Sequence, residues 1–470
     1  MLFIVLAAGL GKRMKSNRPK VLHKLVGKPI LGWVLCACQK AFDPGQPNRL
    51  AVVIHPDMQE AVDYIEGWKK EAGLENVEIC FQRERLGSGH AVLMAKEAID
   101  RCEKGESVAI LSGDVPFVRP ETVRELALCA KELSGAVLTV DNPNPHGYGR
   151  IFRDPQGHVE RIVEEKDLSP EQRSIREVNA GVYVFEARAL SWALDRLDNH
   201  NAQGEYYLPQ TVEILVRNRG KVAALTINDP VEVSGVNDRC QLVTLDRLMR
   251  LRINHRWLAE GVTVIDPENT TIESDVQIGM DTIIQPYCFI AGKTVIGKDC
   301  VIGPFSQITD CSIGDGCEID RSHMRGAKVS KRVRIGPFAR IREGTELSEG
   351  VSIGDFVELK KTSMGVGSKA HHLSYLGDAT IGENVNIGAG TITCNYDGYH
   401  KYPTQIGNNA FIGSNTALVA PVSIGEGAIV GAGSVIVENV EKDALALARG
   451  QQIQKPGRAA VIRERNKKRP

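Results

Sequence analysis

Two adjacent histidines, His371 and His372, sit in the segment SKAHHLSYLGDA, and Arg342 and Lys360 precede them 18 residues apart. A neutral imidazole is the natural proton acceptor near pH 7, so it suits an amine that must lose a proton as it attacks a thioester. Stacked cations suit a phosphate. From the residues alone, solvated histidines and a solvated charge ladder remain alternatives. Near the other terminus, FIVLAAGLGKRM runs an apolar strand into Gly9 and Gly11, followed by Lys12, Arg13 and then Lys20. Glycines at a strand end let backbone N–H groups approach phosphate oxygens, and the basic residues add the charge that transfer at a nucleotide α-phosphate needs. No Gly-Lys-Ser/Thr follows and the third dinucleotide glycine is missing, so neither standard phosphate motif is met; a tight turn is the plain alternative. LSGDVP, residues 111–116, places Asp114 just past a strand, at the sheet edge where ligands of α/β folds bind. GVNDR places Asn237 near the end of the same domain. These two oxygens could complete a Mg²⁺ site, because Mg²⁺ needs only one or two protein ligands when phosphates and waters supply the rest.

The elements that must position these groups differ between the two halves. Residues 1 to about 236 alternate strand patterns (3–6, 50–54, 108–111) with helical ones (29–40, 58–72, 121–133). Such alternation predicts a mostly parallel, Rossmann-like sheet with helices on both faces. Residues 238–260 turn helical and charged, with Leu242, Leu245, Leu248, Met249 and Leu251 near one side, as a rigid strut would be. From Ile272 the chain counts in sixes: Ile278, Ile284, Ile290, Ile296, Ile302, Ile308, then again from Val329 to Leu359 and from Ile406 to Ile436. A period of six fits neither a helix nor an ordinary strand; it predicts a parallel β-helix with one inward aliphatic residue per hexad. Thr393 and Ile406 are separated by about seven residues more than one hexad needs, and the inserted stretch is NYDGYHKYPT, residues 395–404. Loops leaving a solenoid on one face are often its binding elements. The general rule for parallel crossovers predicts right-handed coils. The terminal RERNKKRP lacks apolar anchors and is expected to be disordered.

At 470 residues, two or three domains are expected. Lys and Arg number 58, as do Asp and Glu, so no overall nucleic-acid or membrane surface is implied. In MLFIVLAAGLGKRM the basic residues follow the apolar run, which reads as a buried strand and loop, not a targeting segment. No stretch reaches the ~18 apolar residues of a spanning helix. The eleven cysteines include no CxxC pair and read as free thiols in a reducing cytoplasm.

LAAGLGKRM with PKVLH, then QRERLGSGHA, SGDVP, GYGR, IVEEKD, VNAG and GVN, resemble the sugar-1-phosphate nucleotidyltransferases in order and spacing. Joined to a hexapeptide repeat containing SKAHHLSYLGDA and NIGAGTITCNYDG, the whole chain resembles one bacterial family. That family combines N-acetylglucosamine-1-phosphate uridyltransferase with glucosamine-1-phosphate acetyltransferase activity. The resemblance implies a uridyltransferase domain at 1–236, a linker helix at 237–261, a left-handed β-helix acetyltransferase domain at 262–452 and a tail at 453–470. It implies that Leu6, Ala8 and Gly9 surround the nucleotide, with Arg13 and Lys20 on the phosphates. Gln82, Gly87 and Ser88 would read uracil, and Ser112 with Gly113 would sit near the ribose. Gly149, Glu164 and Asn179 would contact the sugar, while Asp114 and Asn237 would bind Mg²⁺. Ser112 and Ser88 stand where relatives often carry Tyr and Thr; both keep a hydroxyl. In the second half, His372 would be the base, with Arg342, Lys360, Tyr375 and Asn386 around the sugar phosphate. Asn395 and Tyr396 would lie at the acetyl group, and Ala389, Ser414, Ala432 and Arg449 along acetyl-coenzyme A. The implied co-substrates are UTP and acetyl-coenzyme A, the implied assembly is a cytoplasmic homotrimer, and neither nucleic acid nor membrane is a partner. Two rivals stay open: a single-activity nucleotidyltransferase with a regulatory repeat, and a scaffold whose repeat only trimerises a binding module.

Overall fold

The two periodicities build two architectures. The computed structural model describes residues 1–42 and 48–467, and two compact units, Met1–Met249 and Arg250–Pro470, divide the chain.

In the first unit the Leu2–Leu6 strand lies at the middle of a mixed sheet, parallel to Arg49–Ile54 on one side and to Ser107–Ser112 on the other. Glu177–Glu186 runs antiparallel between Ser107–Ser112 and Gly135–Asp141. Side chains alternate across the pleat. Phe3 and Val5 join one core, with Leu31, Leu35 and Ile65 of the helices Ile30–Ala41 and Gln59–Ala72. Leu2 and Ile4 join the other, with Val92, Leu190 and Val212. Covering on both faces is why this strand reads as an unbroken apolar run. Leu6 is in register with Ser112, so the strand ends carrying the glycine loop and the Ser-Gly-Asp segment open side by side. The helix expected at 121–133 spans only Pro120–Cys129, and Glu132 turns with φ 64° into the next strand.

The charged helix runs Arg239–Ala259. Its buried stripe is Leu245, Met249, Ile253 and Trp257, four residues apart; Leu242, Leu248 and Leu251 are only half-buried.

The second unit is a left-handed parallel β-helix whose three flat faces are parallel sheets of eleven, ten and nine strands. Every hexad aliphatic named above points to the axis, from Ile272 and Ile284 at 0% exposure to Ile278 at 9%. Each such fully buried rung contributes about 1.5–3 kcal/mol of transfer free energy. Met324, Met364, Leu376, Ile381 and Ile387 fill rungs that the hexad count left blank, some after five-residue steps. The right-handed rule fails here because it derives from twisted strands. Strands of two to four residues carry little twist, and corners are turned by left-handed residues such as Asp299 (φ 58°) and Phe338 (φ 59°).

The tail was expected to be disordered, but Arg458–Lys467 forms a helix, with every residue exposed; 468–470 lie outside the described residues. No described helix is long and apolar enough to cross a membrane. All eleven cysteines are free.

Candidate functional site

The first candidate site is a cavity of about 280 Å³ at the strand ends, lined by Leu6, Ala8, Gly9, Lys20, Gln82, Gly87, Ser88, Ser112 and Asp114. Nine of the residues singled out from sequence therefore converge across more than a hundred positions. Gly113 donates its N–H to the Leu6 carbonyl (2.8 Å), closing the floor between the two strands. Gly11 has φ 60°, and a Cβ there would come within 2.5 Å of Lys20 Cβ. Glycine is thus required both for the turn and for the approach of Lys20. Lys20 Nζ donates to Asp114 Oδ2 (2.5 Å) and to Asn237 Oδ1 (3.3 Å). Asn237 is carried there by backbone: Val236 donates to the Asp114 carbonyl (3.0 Å). Two oxygen donors converging on one cation form a hard-ligand pair that fits Mg²⁺.

Gln82 is buried and donates through Nε2 to the Gly87 carbonyl and to His90 Nδ1, both at 3.1 Å. Both amide hydrogens are thereby used, and its carbonyl oxygen remains as an acceptor suited to an imide N–H. Ser88 accepts the Leu208 N–H at the start of a short helix. Arg13 lies exposed on the turn Lys12–Met14, outside the cavity lining.

Gly149, Glu164 and Asn179 gather in a second cluster. Asn179 donates its backbone N–H to the Gly149 carbonyl (2.9 Å) and its amide to the Tyr183 hydroxyl (2.6 Å), while a Cβ on Gly149 would lie 3.3 Å from Glu164 Oε1. Burial, with Asp167 adding to it, raises the Glu164 carboxyl above its ordinary pKa. Burial likewise raises the Tyr183 hydroxyl, with Glu164 contributing. Burial and then Asp114 raise that of Tyr148, which ties this cluster to the Asp114 end of the cavity.

Sequence reasoning missed three residues of this cavity. Arg85, Ala91 and Glu205 also line it, and Arg85 Nε donates to the Ala8 carbonyl (2.8 Å). The position of Arg85 between Gln82 and Gly87 was the available signal. Nothing local marked Glu205.

The second candidate site follows one corner of the β-helix. Asp355 pairs in register with His372. Gly390 donates to the His372 carbonyl (3.2 Å), Asn415 to Ala389 (2.7 Å) and Gly433 to Ser414 (2.8 Å). Arg449 Nη1 reaches the Ala432 carbonyl (2.9 Å). His372, Ala389, Ser414 and Ala432 thus form a single column, one coil per step, with the histidine at its lower end. His372 is exposed, and its ring makes no hydrogen bond among the described residues. His371 bonds Ser352 Oγ through Nε2 (2.9 Å); burial first, then His372 and Lys369, lower its pKa.

From that corner the strand Tyr375–Gly377 crosses one face to a cation cluster. Lys360 pairs in register with Gly377, and Arg342 donates backbone N–H to Leu359 (2.9 Å), which stacks the two cations. Lys401, from the insertion, joins them. It is the main cause of a lowered Lys360 pKa, ahead of Arg342, with Asp378 opposing. Arg342 also donates to Glu358 Oε1 (2.8 Å). Gly377 is needed here by close approach, since a Cβ would lie 2.5 Å from the Tyr375 hydroxyl and 2.8 Å from Asn395 Nδ2. Asn395 donates to Asp378 Oδ2 (2.5 Å). Tyr396 starts a small antiparallel bridge with Lys401, and its hydroxyl turns to the Gly398 carbonyl (2.5 Å). Asn386 is not brought to this face; it pairs in register with Lys369 in the adjacent sheet. Lys401 escaped the sequence reading because only the folded hairpin returns it to the hexad column.

A phosphate-adapted cavity at the edge of an α/β sheet, joined to a β-helix with a histidine column, defines a two-part transferase. Comparison with known proteins agrees. The MobA-like NTP transferase domain family matches residues 3–200, the GMPPB C-terminal domain 268–369, and the bacterial transferase hexapeptide family (six repeats) 403–438. The chain is 49% identical to the bifunctional protein GlmU of Fervidobacterium nodosum over 466 residues, covering 99% of this chain and 98% of that one. It is 44% identical to that of Koribacter versatilis over 475 residues, with 99% and 97% covered. For Caldicellulosiruptor saccharolyticus the identity is 46% over 457 residues, with 97% and 96% covered. The chain belongs to the bifunctional GlmU family.

Proposed function

We propose that the protein makes UDP-N-acetylglucosamine for cell-wall precursors in two steps, one in each unit. The β-helix acetylates glucosamine-1-phosphate with acetyl-coenzyme A. The N-terminal unit then joins N-acetylglucosamine-1-phosphate to UTP and releases pyrophosphate. The observation that carries the reading is the single column of His372, Ala389, Ser414 and Ala432, with cations at the far edge of the adjoining face. A sugar phosphate spanning Tyr375 would place its phosphate on Arg342, Lys360 and Lys401 and its amine near His372. The amine nitrogen attacks the thioester carbon, the C–S bond breaks, and His372 takes the amine proton and passes it to the departing sulfur, so that the coenzyme leaves as its thiol. Asn395 and Tyr396 border the acetyl group, and Ala389, Ser414, Ala432 and Arg449 hold the coenzyme; Tyr375 and Asn386 border the sugar phosphate, Asn386 from the neighbouring sheet. The GMPPB match, residues 268–369, speaks for the repeat alone; His372 and the insertion lie beyond it.

In the first unit Gln82, Gly87 and Ser88 read uracil through the free Gln82 carbonyl. Leu6, Ala8, Gly9, Ser112 and Gly113 hold the ribose and α-phosphate. Arg13 and Lys20 neutralise the leaving phosphates, and Gly149, Glu164 and Asn179 orient the sugar. Mg²⁺, held by Asp114 and Asn237, would supply charge neutralisation at the triphosphate.

The working assembly is a cytoplasmic homotrimer. Tyr287, Phe305, Phe338, Phe356 and Leu373 are each more than half exposed along the same corner that carries His372. An apolar ridge of this kind suits a neighbouring chain that would also wall the open acetyl site. Mass spectrometry of products from glucosamine-1-phosphate, acetyl-coenzyme A and UTP tests the whole reading. Absence of the acetylated sugar phosphate would remove the first step, and absence of pyrophosphate the second.

A further inference from the structure

We propose that Lys20 holds the metal's place in the nucleotide-free enzyme: its ammonium bridges the two oxygens that would bind the divalent cation in most molecules, and it moves fully to the triphosphate when metal and nucleotide enter together. This rests on the reading of Asp114 and Asn237 as metal ligands. The contacts are Lys20 Nζ to Asp114 Oδ2 (2.5 Å) and to Asn237 Oδ1 (3.3 Å), with the Lys20 and Asp114 side chains only 11% and 25% exposed. A carboxylate so sheltered is costly without a cation partner, and the ammonium provides one before any ligand arrives. The same Asp114 oxygen cannot serve an ammonium and a divalent ion at contact distance, because the two cations repel each other in a partly desolvated cavity.

Local structure makes the exchange feasible. Lysine carries its charge on a flexible four-carbon stem. The stem enters beside Gly11, where any side chain would block it. Gly9 and Leu6 of the phosphate loop line the same cavity as Lys20 and Asp114, so the ammonium has a destination within the site. The metal is then expected to bind weakly alone and strongly with nucleotide. Because coupling is reciprocal, the nucleotide gains as much from the metal as the metal gains from the nucleotide.

Mn²⁺ titrations of the full chain, followed by electron paramagnetic resonance with and without UTP, test this. Without nucleotide, Lys20→Met should bind Mn²⁺ about tenfold tighter than the unsubstituted chain, as follows if the ammonium leaves the ligands in about a tenth of molecules. Lys20→Arg keeps a cation and should not tighten binding. UTP should enhance Mn²⁺ affinity less in Lys20→Met than in the unsubstituted chain. Lys20→Gln gives the same readout should Lys20→Met fail to fold. If neither neutral variant tightens Mn²⁺ binding while Asp114→Asn weakens it, the place-holding role is wrong and the ligand assignment stands. If Asp114→Asn binds Mn²⁺ as the unsubstituted chain does, with and without UTP, the ligand assignment fails and this inference falls with it.

Discussion

The two candidate sites solve the problem of binding a phosphorylated sugar in opposite ways. The N-terminal one is a cavity whose cation is already paired, Lys20 with Asp114, and whose walls come from segments between residues 6 and 237 of one unit. The C-terminal one lies on an open corner. There Arg342, Lys360 and Lys401 crowd together strongly enough to lower the Lys360 pKa. Enclosure lets the first site keep its charges balanced without substrate. Exposure lets the second keep like charges adjacent, because water screens them until a phosphate arrives. The contrast teaches that the sheet edge encloses a site between distant segments, whereas the prism lays one along an open corner.

The largest expected break in this comparison is Asp114→Ala, which should reduce uridyl transfer to background and leave acetyl transfer nearly intact, measured by paired product assays. Wild-type uridyl transfer by this variant with Mg²⁺ would remove Asp114 from the site. Next, His372→Ala should lower acetyl transfer by about 10²–10⁴, the usual contribution of a positioned base, with uridyl transfer from supplied N-acetylglucosamine-1-phosphate unchanged. Part of the loss should return toward pH 9, where more substrate amine is neutral. His371→Ala should do little, since its ring is engaged with Ser352; equal losses in the two variants would deny His372 its special role.

Dissociation should separate the sites further. On serial dilution with sedimentation in parallel, acetyl activity should fall as trimers disappear while uridyl activity persists; an active monomer at the second site would contradict this. Lys401→Ala should raise the KM for glucosamine-1-phosphate about tenfold, the scale of one charge-assisted contact, with little change in kcat. An unaltered KM would take Lys401 out of the phosphate cluster.

The smallest effect is on stability. Burial raises the Glu164 carboxyl pKa in the folded state, so folding is penalised once pH rises above the ordinary carboxyl range. Below that range both states are protonated and the penalty vanishes. Glu164→Gln should therefore raise the unfolding temperature of the N-terminal unit by about 2–4 °C at pH 8 and leave it unchanged near pH 4. Calorimetry showing the same shift at both pH values would assign the effect to packing instead.

Periodicity was enough to determine the second architecture from the amino-acid sequence. A rung every six residues has one way to bury itself, so Ile272, Ile302 and Ile412 were legible as axis residues before any fold was known. The separation of Arg342 and Lys360 translated directly into stacking, because in a solenoid sequence distance is spatial distance. The strand-end glycines and Asp114 were legible for a similar reason: each lies within a few residues of the strand that carries it. Handedness was not legible in the periodicity, since the general crossover rule presumes twisted strands; only the family resemblance implied the left-handed coil. Tertiary structure alone decided that His372 shares a column with Ala389, Ser414 and Ala432, and that a hairpin returns Lys401 to Lys360. It alone joined Lys20 to Asn237 across 217 positions. Such contacts depend on how loops close between distant elements, which is set by packing over the whole unit and leaves no local pattern in the chain.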